Sequence, residues 1–313
     1  MPDVEQVHDP ALTNVAIRYL LSSNLFIADQ VLPITPVSKE SDRYSTYTKK
    51  DWFSIPNAQI ADGDAALEAR FNITHTTYNC EEYGVKAKVT DRARNNQSDA
   101  INLEADTTEF VTQLTMLERE KRIADAVFNT TTFASYTAAL STANQWDNYT
   151  SSDSDPIDDV ETAKQNVLLN TGMPANTLII GYQVYRYVRN HPEIIGRVKE
   201  AVGGEVKNVN ERMLAVAFDL DRVLVGRATY NSANPGQSES DAFIWGKFAM
   251  VAHIKPRIPS KGVTLGGTFR VGSLRMMRWR TSDPAATWVR PQIIEDEVIT
   301  ATAAGYLYST VVS

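Results

Sequence analysis

Residues 106–128 read DTTEFVTQLTMLEREKRIADAVF. Phe110, Leu114, Leu117, Ala124 and Phe128 fall on one stripe at helical spacing, with Val111 and Val127 widening it, so the run predicts a long amphipathic helix. The charge run Glu118-Arg119-Glu120-Lys121-Arg122 interrupts that stripe. Glu118 and Arg122 stand i,i+4 in the favourable order, a pair worth about 0.3 kcal/mol. The run reads as a solvated helix face or, more sharply, as a charged surface that meets a neighbouring subunit.

What precedes this helix has little core of its own. Leu12, Val15, Ala16, Tyr19 and Leu20 recur at helical spacing, and Pro33 and Pro36 then force an extended exit. Residues 1–36 are therefore an arm that must lie across something. Residues 37–90 are strand-like and polar. Tyr44, Thr46 and Tyr47 favour β structure, as do Phe71, Ile73, Thr74, Thr76, Thr77 and Tyr78, with a looser stretch at 54–66 between them. This predicts a two-stranded projection, and an isolated hairpin is barely stable in water. Val85-Lys86-Ala87-Lys88-Val89 alternates as a strand, and 90–99 reads as a connector. A chain that spends its first third this way is expected to bury it on copies of itself.

Beyond residue 150 the pattern is a compact mixed α/β unit. Asp155 or Ser154 can cap a helix with Pro156 in its first turn, and Gly172 and Pro174 stop it. Leu178-Ile179-Ile180-Gly181 is a short buried strand. Helices follow at 182–189, 194–202 and 211–217, and strands at 223–225 and 243–252. Residues 269–313 are strand-like again. The expected division is thus 1–36, 37–90, 91–150, 151–268 and 269–313, an α+β chain.

The chain has 313 residues, a formal charge of −7 and a single cysteine, Cys80. An acidic balance argues against wholesale phosphate neutralisation, hence against sequence-general or sequence-specific DNA binding. One cysteine permits no intrachain disulfide. No apolar run reaches membrane-spanning length, and His8, His75, His191 and His253 show no ligand spacing, so neither membrane nor cofactor is expected.

Asp219-Leu-Asp221 after an apolar run resembles the nucleophile motif of haloacid-dehalogenase-type phosphatases, in which the first carboxylate attacks phosphorus beside magnesium. The preceding residues 211–217 read as helix rather than strand, which weighs against it. Gly262-Val-Thr-Leu-Gly266-Gly267 lacks the Gly-Lys-Ser/Thr ending of a phosphate loop. Arg275, Arg278 and Arg280 around Trp279 stand opposite in charge to Glu295, Asp296 and Glu297, and pairing of these patches between subunits is expected.

Taken in order, these parts resemble the major capsid proteins of tailed bacteriophages, the Hong Kong ninety-seven type fold, over nearly the whole chain. Three stretches carry the resemblance: Tyr83-Gly84-Val85-Lys86-Ala87-Lys88-Val89-Thr90-Asp91-Arg92; Met173-Pro174-Ala175-Asn176-Thr177-Leu178-Ile179-Ile180-Gly181; and the ending from Val289-Arg290-Pro291 to Ala303-Ala304-Gly305-Tyr306-Leu307. It implies an N-terminal arm, an extended β-hairpin loop, a peripheral domain with a spine helix, and an axial α/β domain. It also implies pentamers and hexamers that form an icosahedral shell around double-stranded DNA, assembled in a host cytoplasm. A portal, a scaffolding protein or a removed leader, and a decoration protein are the implied partners. Some members cross-link a loop lysine to a neighbour's asparagine; Lys49 and Lys50 lie on this loop, with no partner identified. The candidate subunit contacts are Tyr47, Lys49, Lys50, Trp52, Glu118, Arg119, Glu120, Arg122, Arg278, Arg280, Glu295 and Glu297. An encapsulin-like shell enclosing cargo protein shares the fold and is the main rival, ahead of a phosphatase using Asp219 and Asp221.

Overall fold

The computed structural model describes residues 6–22, 25–47, 55, 58–60, 65, 68, 73–96, 102–202, 208–234, 236–259 and 262–313. The arm holds strand β1 (Val7–His8), helix α1 (Pro10–Ser22), a single turn α2 (Ala28–Val31) and strand β2 (Ile34–Val37). Asp9 caps α1, its carboxylate accepting from the backbone of Ala11 and Leu12 at 3.0 and 3.1 Å. Strands β3 (Ser41–Tyr47) and β4 (Ile73–Asn79) pair antiparallel from Ser41 with Asn79 out to Tyr47 with Ile73. This is the two-stranded projection that the polar, β-branched sequence predicts. Next come β5 (Glu81–Tyr83) and β6 (Ala87–Thr90), with Gly84 between them crossing Pro291 so closely that a Cβ there would lie 2.0 Å from its carbonyl oxygen. The expected connector is partly helical. Thr90 caps α3 (Asp91–Asn95), its hydroxyl accepting from Ala93 N.

The long helix α4 spans Leu103–Val127 and starts earlier than residue 106 because Asn102 supplies the cap, accepting from Ala105 N at 3.2 Å. The α/β unit follows with β7 (Thr137–Ala139), α5 (Pro156–Thr171), β8 (Thr177–Gly181), α6 (Tyr182–Val188), α7 (Pro192–Val202), α8 (Glu211–Ala217), β9 (Arg222–Gly226), β10 (Thr229–Asn231), β11 (Asp241–Phe243) and β12 (Ala249–Ala252). Asp155 caps α5, Pro156 opens it and Gly172 closes it in the left-handed region at φ 74°. The single strand expected at 243–252 is instead two, because a turn at 244–247 carries the fully buried Trp245 inward.

A long hairpin of β13 (Gly266–Ser282) and β14 (Ala285–Ile299) closes the chain with β15 (Gly305–Ser309). The hairpin forms one layer in the order β1-β13-β14-β5, with β2 parallel to β13 and β6 beside β14. The second layer runs β7-β15-β12-β8-β9. Strand β8 is central there, and Leu178, Ile179 and Ile180 are fully buried between apolar groups on both faces.

The arm finds a partner on its own chain, contrary to the expectation that it must leave it. Leu12 and Ala16 of α1 pack with Val111 and Met116 of α4 and with Leu274, Met276 and Val289 of the hairpin. Ile27, Val31 and Leu32 pack with Ile123 and Val127 and with Trp245 and Met250 of the second layer. Helix α4 thus lies between the arm, the hairpin and the five-stranded sheet.

Candidate assembly surface

The buried face of α4 matches only part of the stripe its hydrophobic residues suggest: Val111, Ala124 and Val127 are buried and Leu117 and Phe128 pack on the core, but Phe110 and Leu114 do not. Thr108, Val111, Thr112, Thr115, Met116, Arg119, Glu120, Ile123, Ala124 and Val127 face inward. Phe110 remains 56% exposed and Leu114 36% exposed. The inward residues also recur at three and four, so both faces are periodic. The threonines tolerate burial because each hydroxyl donates to the carbonyl four residues back: Thr108 to Glu104 at 2.7 Å, Thr112 to Thr108 at 2.7 Å and Thr115 to Val111 at 2.9 Å.

Two members of the charge run, Arg119 and Glu120, are internal in the subunit, whereas Glu118 and Lys121 keep side chains 50% and 38% exposed. The Arg119 side chain is 3% exposed and its Nε donates to a Glu295 side chain that is fully buried, at 2.7 Å. Arg270 reaches the same carboxylate at 2.6 Å, and Arg122 reaches it at 3.0 Å. Arg122 also donates to Glu297 at 2.6 and 2.9 Å and to Glu118 at 2.6 Å, with its guanidinium 3.6 Å from the ring centre of Tyr83. Asp29 of the arm pairs with Arg119 at 2.8 Å. Burial opposes ionisation of Glu295, and the guanidinium groups of Arg119 and Arg270 outweigh it, holding that carboxyl below its ordinary range.

Glu120 is fully buried and joins three elements. Its carboxylate accepts from Ile27 N and Ala28 N, each at 3.0 Å, and from Trp245 Nε1 at 2.6 Å. Burial pushes this carboxyl above its ordinary range against those hydrogen bonds. The arm, the helix and the five-stranded layer are fastened at this one side chain.

Arg278 and Arg280 do not meet the acidic cluster either. They lie in the distal half of the hairpin, where Arg278 pairs with Asp9 at 3.4 Å and Glu104 at 3.2 Å, and Arg280 with Asp91 at 2.6 Å. The pairing expected between copies is therefore satisfied within one chain, although Arg278, Arg280 and Glu118 keep side chains 41%, 62% and 50% exposed. Across the hairpin, Trp279 and Trp288 stack with ring centres 6.1 Å apart, and Lys86 lies 5.0 Å from the Trp288 ring centre. Tyr47 is the last described pair of the projection, opposite Ile73. Lys49, Lys50 and Trp52 lie outside the described residues.

Asp219 occupies a left-handed turn at φ 51°, between the end of helix α8 and the start of β9. Its side chain is 88% exposed and lies 3.5 Å from Lys164. A phosphatase nucleophile would end a strand, so the order of elements is wrong for that chemistry. Among the described residues no group of three potential ligands could hold a metal ion, and no helix is long and apolar enough to cross a membrane.

No family model matches the chain. The major capsid protein of Pseudomonas phage JBD67 is 30% identical over 247 residues, covering 77% of this chain and 75% of that one. The major capsid protein of Burkholderia phage BcepMu is 27% identical, covering 97% and 96%. Among solved structures, a phage-related protein from Bordetella bronchiseptica RB50 superposes with a TM-score of 0.74 at 22% identity over 98% of both chains. The capsid of Cyanophage P-SCSP1u gives 0.58 at 10% identity over 90% of this chain and 87% of that one. A virus-like particle from Pyrococcus furiosus gives 0.56 at 12% identity over 96% and 98%. The fold is that of phage capsids, with arm, β3–β4 projection, long helix and α/β unit in the order the resemblance implies. With both of these sequence relatives being phage major capsid proteins, one of them 30% identical over three quarters of each chain, this chain belongs to the family of bacteriophage major capsid proteins.

Proposed function

We propose that the chain assembles as pentamers and hexamers into an icosahedral head shell that encloses double-stranded DNA. The observation that carries this reading is the β3–β4 projection, whose described residues are mostly exposed and whose strands, among the described residues, pair only with each other over Ser41–Tyr47 and Ile73–Asn79, anchored at the base by Tyr44 and Tyr78 against Phe269 and by Asn79 N donating to Asp296. Such a hairpin is marginal alone and gains from lying on a neighbour. Several weak contacts per subunit then add through effective concentration, while each stays reversible enough for correction during assembly. The five-stranded layer surrounds the capsomer axis in this reading, and the hairpin layer with α4 lies at the periphery. Tyr47, Lys49, Lys50 and Trp52 on the projection are the contacts to neighbouring copies. Glu118, Arg119, Glu120, Arg122, Glu295 and Glu297 act behind them, fixing the angle between arm, helix and hairpin. A formal charge of −7 keeps the wall from sticking to packaged polyanion. A portal, a scaffolding protein and a decoration protein complete the head.

Negative-stain electron microscopy beside size-exclusion chromatography tests the reading. Closed shells, rings of five or six, or sheets are expected. A monomer that never assembles, even with crowding agent or scaffold, would overturn it. Shells from host cells that hold a defined cargo protein and no DNA would favour the encapsulin-like alternative.

A further inference from the structure

His191 is 2% exposed at the corner between α6 and α7, and Ser154, 4% exposed, faces it from the loop that leads into α5. The Glu193 amide donates to His191 Nδ1 at 3.3 Å. A backbone N–H can only donate, so Nδ1 carries no proton and Nε2 carries it. Nε2 then donates to Ser154 Oγ at 3.3 Å, and that hydroxyl donates to the Gln145 carbonyl at 2.8 Å. The same imidazole thus caps α7 through one nitrogen and closes the base of the loop 148–154 through the other. Farther along the loop, Tyr149 sets its ring across the imidazole, with centres 5.5 Å apart, and donates to the Tyr187 carbonyl at 3.0 Å. Both ends of the loop are anchored independently. Trp146 N donates to the Val311 carbonyl at 2.9 Å, and Asp155 caps α5.

A second proton on the ring breaks this arrangement at Nδ1. An N–H there would face the Glu193 N–H, donor against donor, in the first turn of α7, where the helix dipole already disfavours a cation. Glu193 of α7 and Asp155 at the start of α5 both favour the charged ring. Asp155 is committed elsewhere, accepting from Ile157 N and Asp158 N at 2.9 and 3.0 Å. Asp147, Arg186 and Tyr187 act on Tyr149 behind the ring. Burial outweighs the two carboxylates and holds the imidazole below its ordinary 6.5. Such a histidine binds fewer protons folded than unfolded. Its contribution is therefore full above 6.5 and is lost as pH falls through the lowered value.

We infer that His191 is an acid-released latch: neutral, it holds the loop 148–154 against the corner of α6 and α7, and protonated, it lets that loop lift away and uncovers the first turn of α7. The anchors at Trp146 and Asp155 keep the rest of the α/β unit in place while the loop opens, so the event is local. The device lies within one subunit and stands or falls apart from the shell reading.

Histidine ring NMR on the wild-type subunit reads the switch directly, and the His191 signal should titrate below 6.5. A titration at or above that value would overturn the inference. Hydrogen–deuterium exchange, corrected for the intrinsic effect of pH, reads the loop. Between pH 7.5 and pH 4.5 the amides over 148–154 and 193–195 should open at least about tenfold more often. Asp159, which accepts from Trp146 Nε1, titrates in the same range and has to be separated from His191. His191→Asn keeps an acceptor for the Glu193 amide and cannot titrate, so the acid response of both stretches should disappear. A response that persists in this variant belongs to Asp159 and sinks the latch. Ser154→Ala removes the loop side of the contact alone. It should loosen 148–154 already at pH 7.5 and leave 193–195 as in the wild type. Exchange at 148–154 that is unchanged by this substitution would equally count against the latch.

Discussion

Helix α4 and strand β8 are both buried, by opposite means. Leu178, Ile179 and Ile180 of β8 vanish among apolar neighbours on both faces. Helix α4 instead buries three threonines, an arginine and a glutamate, each held by directional bonds, although among the described residues Arg119 Nη2 is left without a partner. Apolar burial is non-directional and tolerates small adjustments. A buried ionic network holds its partners at set angles and is expensive to leave half made. The five-stranded layer is therefore built to be stable, and the joint at α4 is built to hold arm, hairpin and helix in one arrangement.

The contrast is broken most severely by removing one charge from the joint. Glu295→Ala leaves Arg119 buried without its main partner and should cost the unassembled subunit about 3–5 kcal/mol. Replacing both, as Arg119→Met with Glu295→Leu, should restore most of that. In β8, Ile180→Val should cost only about 0.5–1.5 kcal/mol. Urea unfolding of the four proteins decides it. A double variant no more stable than Glu295→Ala would show that shape, not charge, holds the joint.

A smaller loss is expected at the neighbouring carboxylate. Glu120→Leu strands the donors Ile27 N, Ala28 N and Trp245 Nε1 in a dry site, for about 3 kcal/mol after relaxation. Glu120→Gln keeps an acceptor for part of the set and should lose about 1 kcal/mol. Trp245 fluorescence reports whether the arm and the five-stranded layer have come apart at this point. Equal stability of the leucine variant and the wild type would remove Glu120 from the joint.

Much of the apolar layer was legible in the residues. Asp155, Pro156 and Gly172 bounded α5 by their own chemistry, and the Leu-Ile-Ile run could only be a buried strand. The polar joint was not legible, for two physical reasons. Hydrophobicity pointed to Phe110 and Leu114, whereas the face with back-bonded threonines was the one that packed. Arg119 and Glu295 stand far apart in the chain, and nothing local announces that register would bring them within 2.7 Å. Nor does anything local announce that the hairpin register sets Arg270, not Arg278, opposite Glu295 within the chain. The repeat of threonine at 108, 112 and 115 was the one available hint.

Helix α5, which packs on the five-stranded layer, holds a half-buried carboxyl of its own. Asp159 accepts from Trp146 Nε1 at 2.7 Å, but burial pushes its carboxyl up to about 6, with Asp155 and Asp158 adding to the shift. A raised carboxyl binds more protons folded than unfolded. Its stabilising contribution is therefore full below about 3.8, the ordinary value, and is lost as pH rises through about 6. Asp159→Asn keeps the acceptor for Trp146 and should gain about 1 kcal/mol at pH 7.5, allowing for the group's partial exposure. Stability measured from pH 4 to 6.5 should fall less steeply in the variant. Identical slopes would mean that Asp159 titrates normally in the fold.

The smallest effect on the subunit should accompany a large effect on the shell, at the stripe that sequence assigned to the core. Phe110 and Leu114 cover one face of α4 without being buried by their own chain. Phe110→Ser with Leu114→Ser should therefore change unfolding of the free subunit by no more than about 0.5 kcal/mol, the usual range for surface sites. Two large apolar groups one helical turn apart are nevertheless a contact waiting to be covered. If α4 lies against another molecule in the shell, the same pair of substitutions should lower the yield of closed particles while leaving size-exclusion and unfolding of the subunit alone. Normal shells with a normal subunit would show that this face stays in solvent after assembly, and that α4 works only through the joint on its other side.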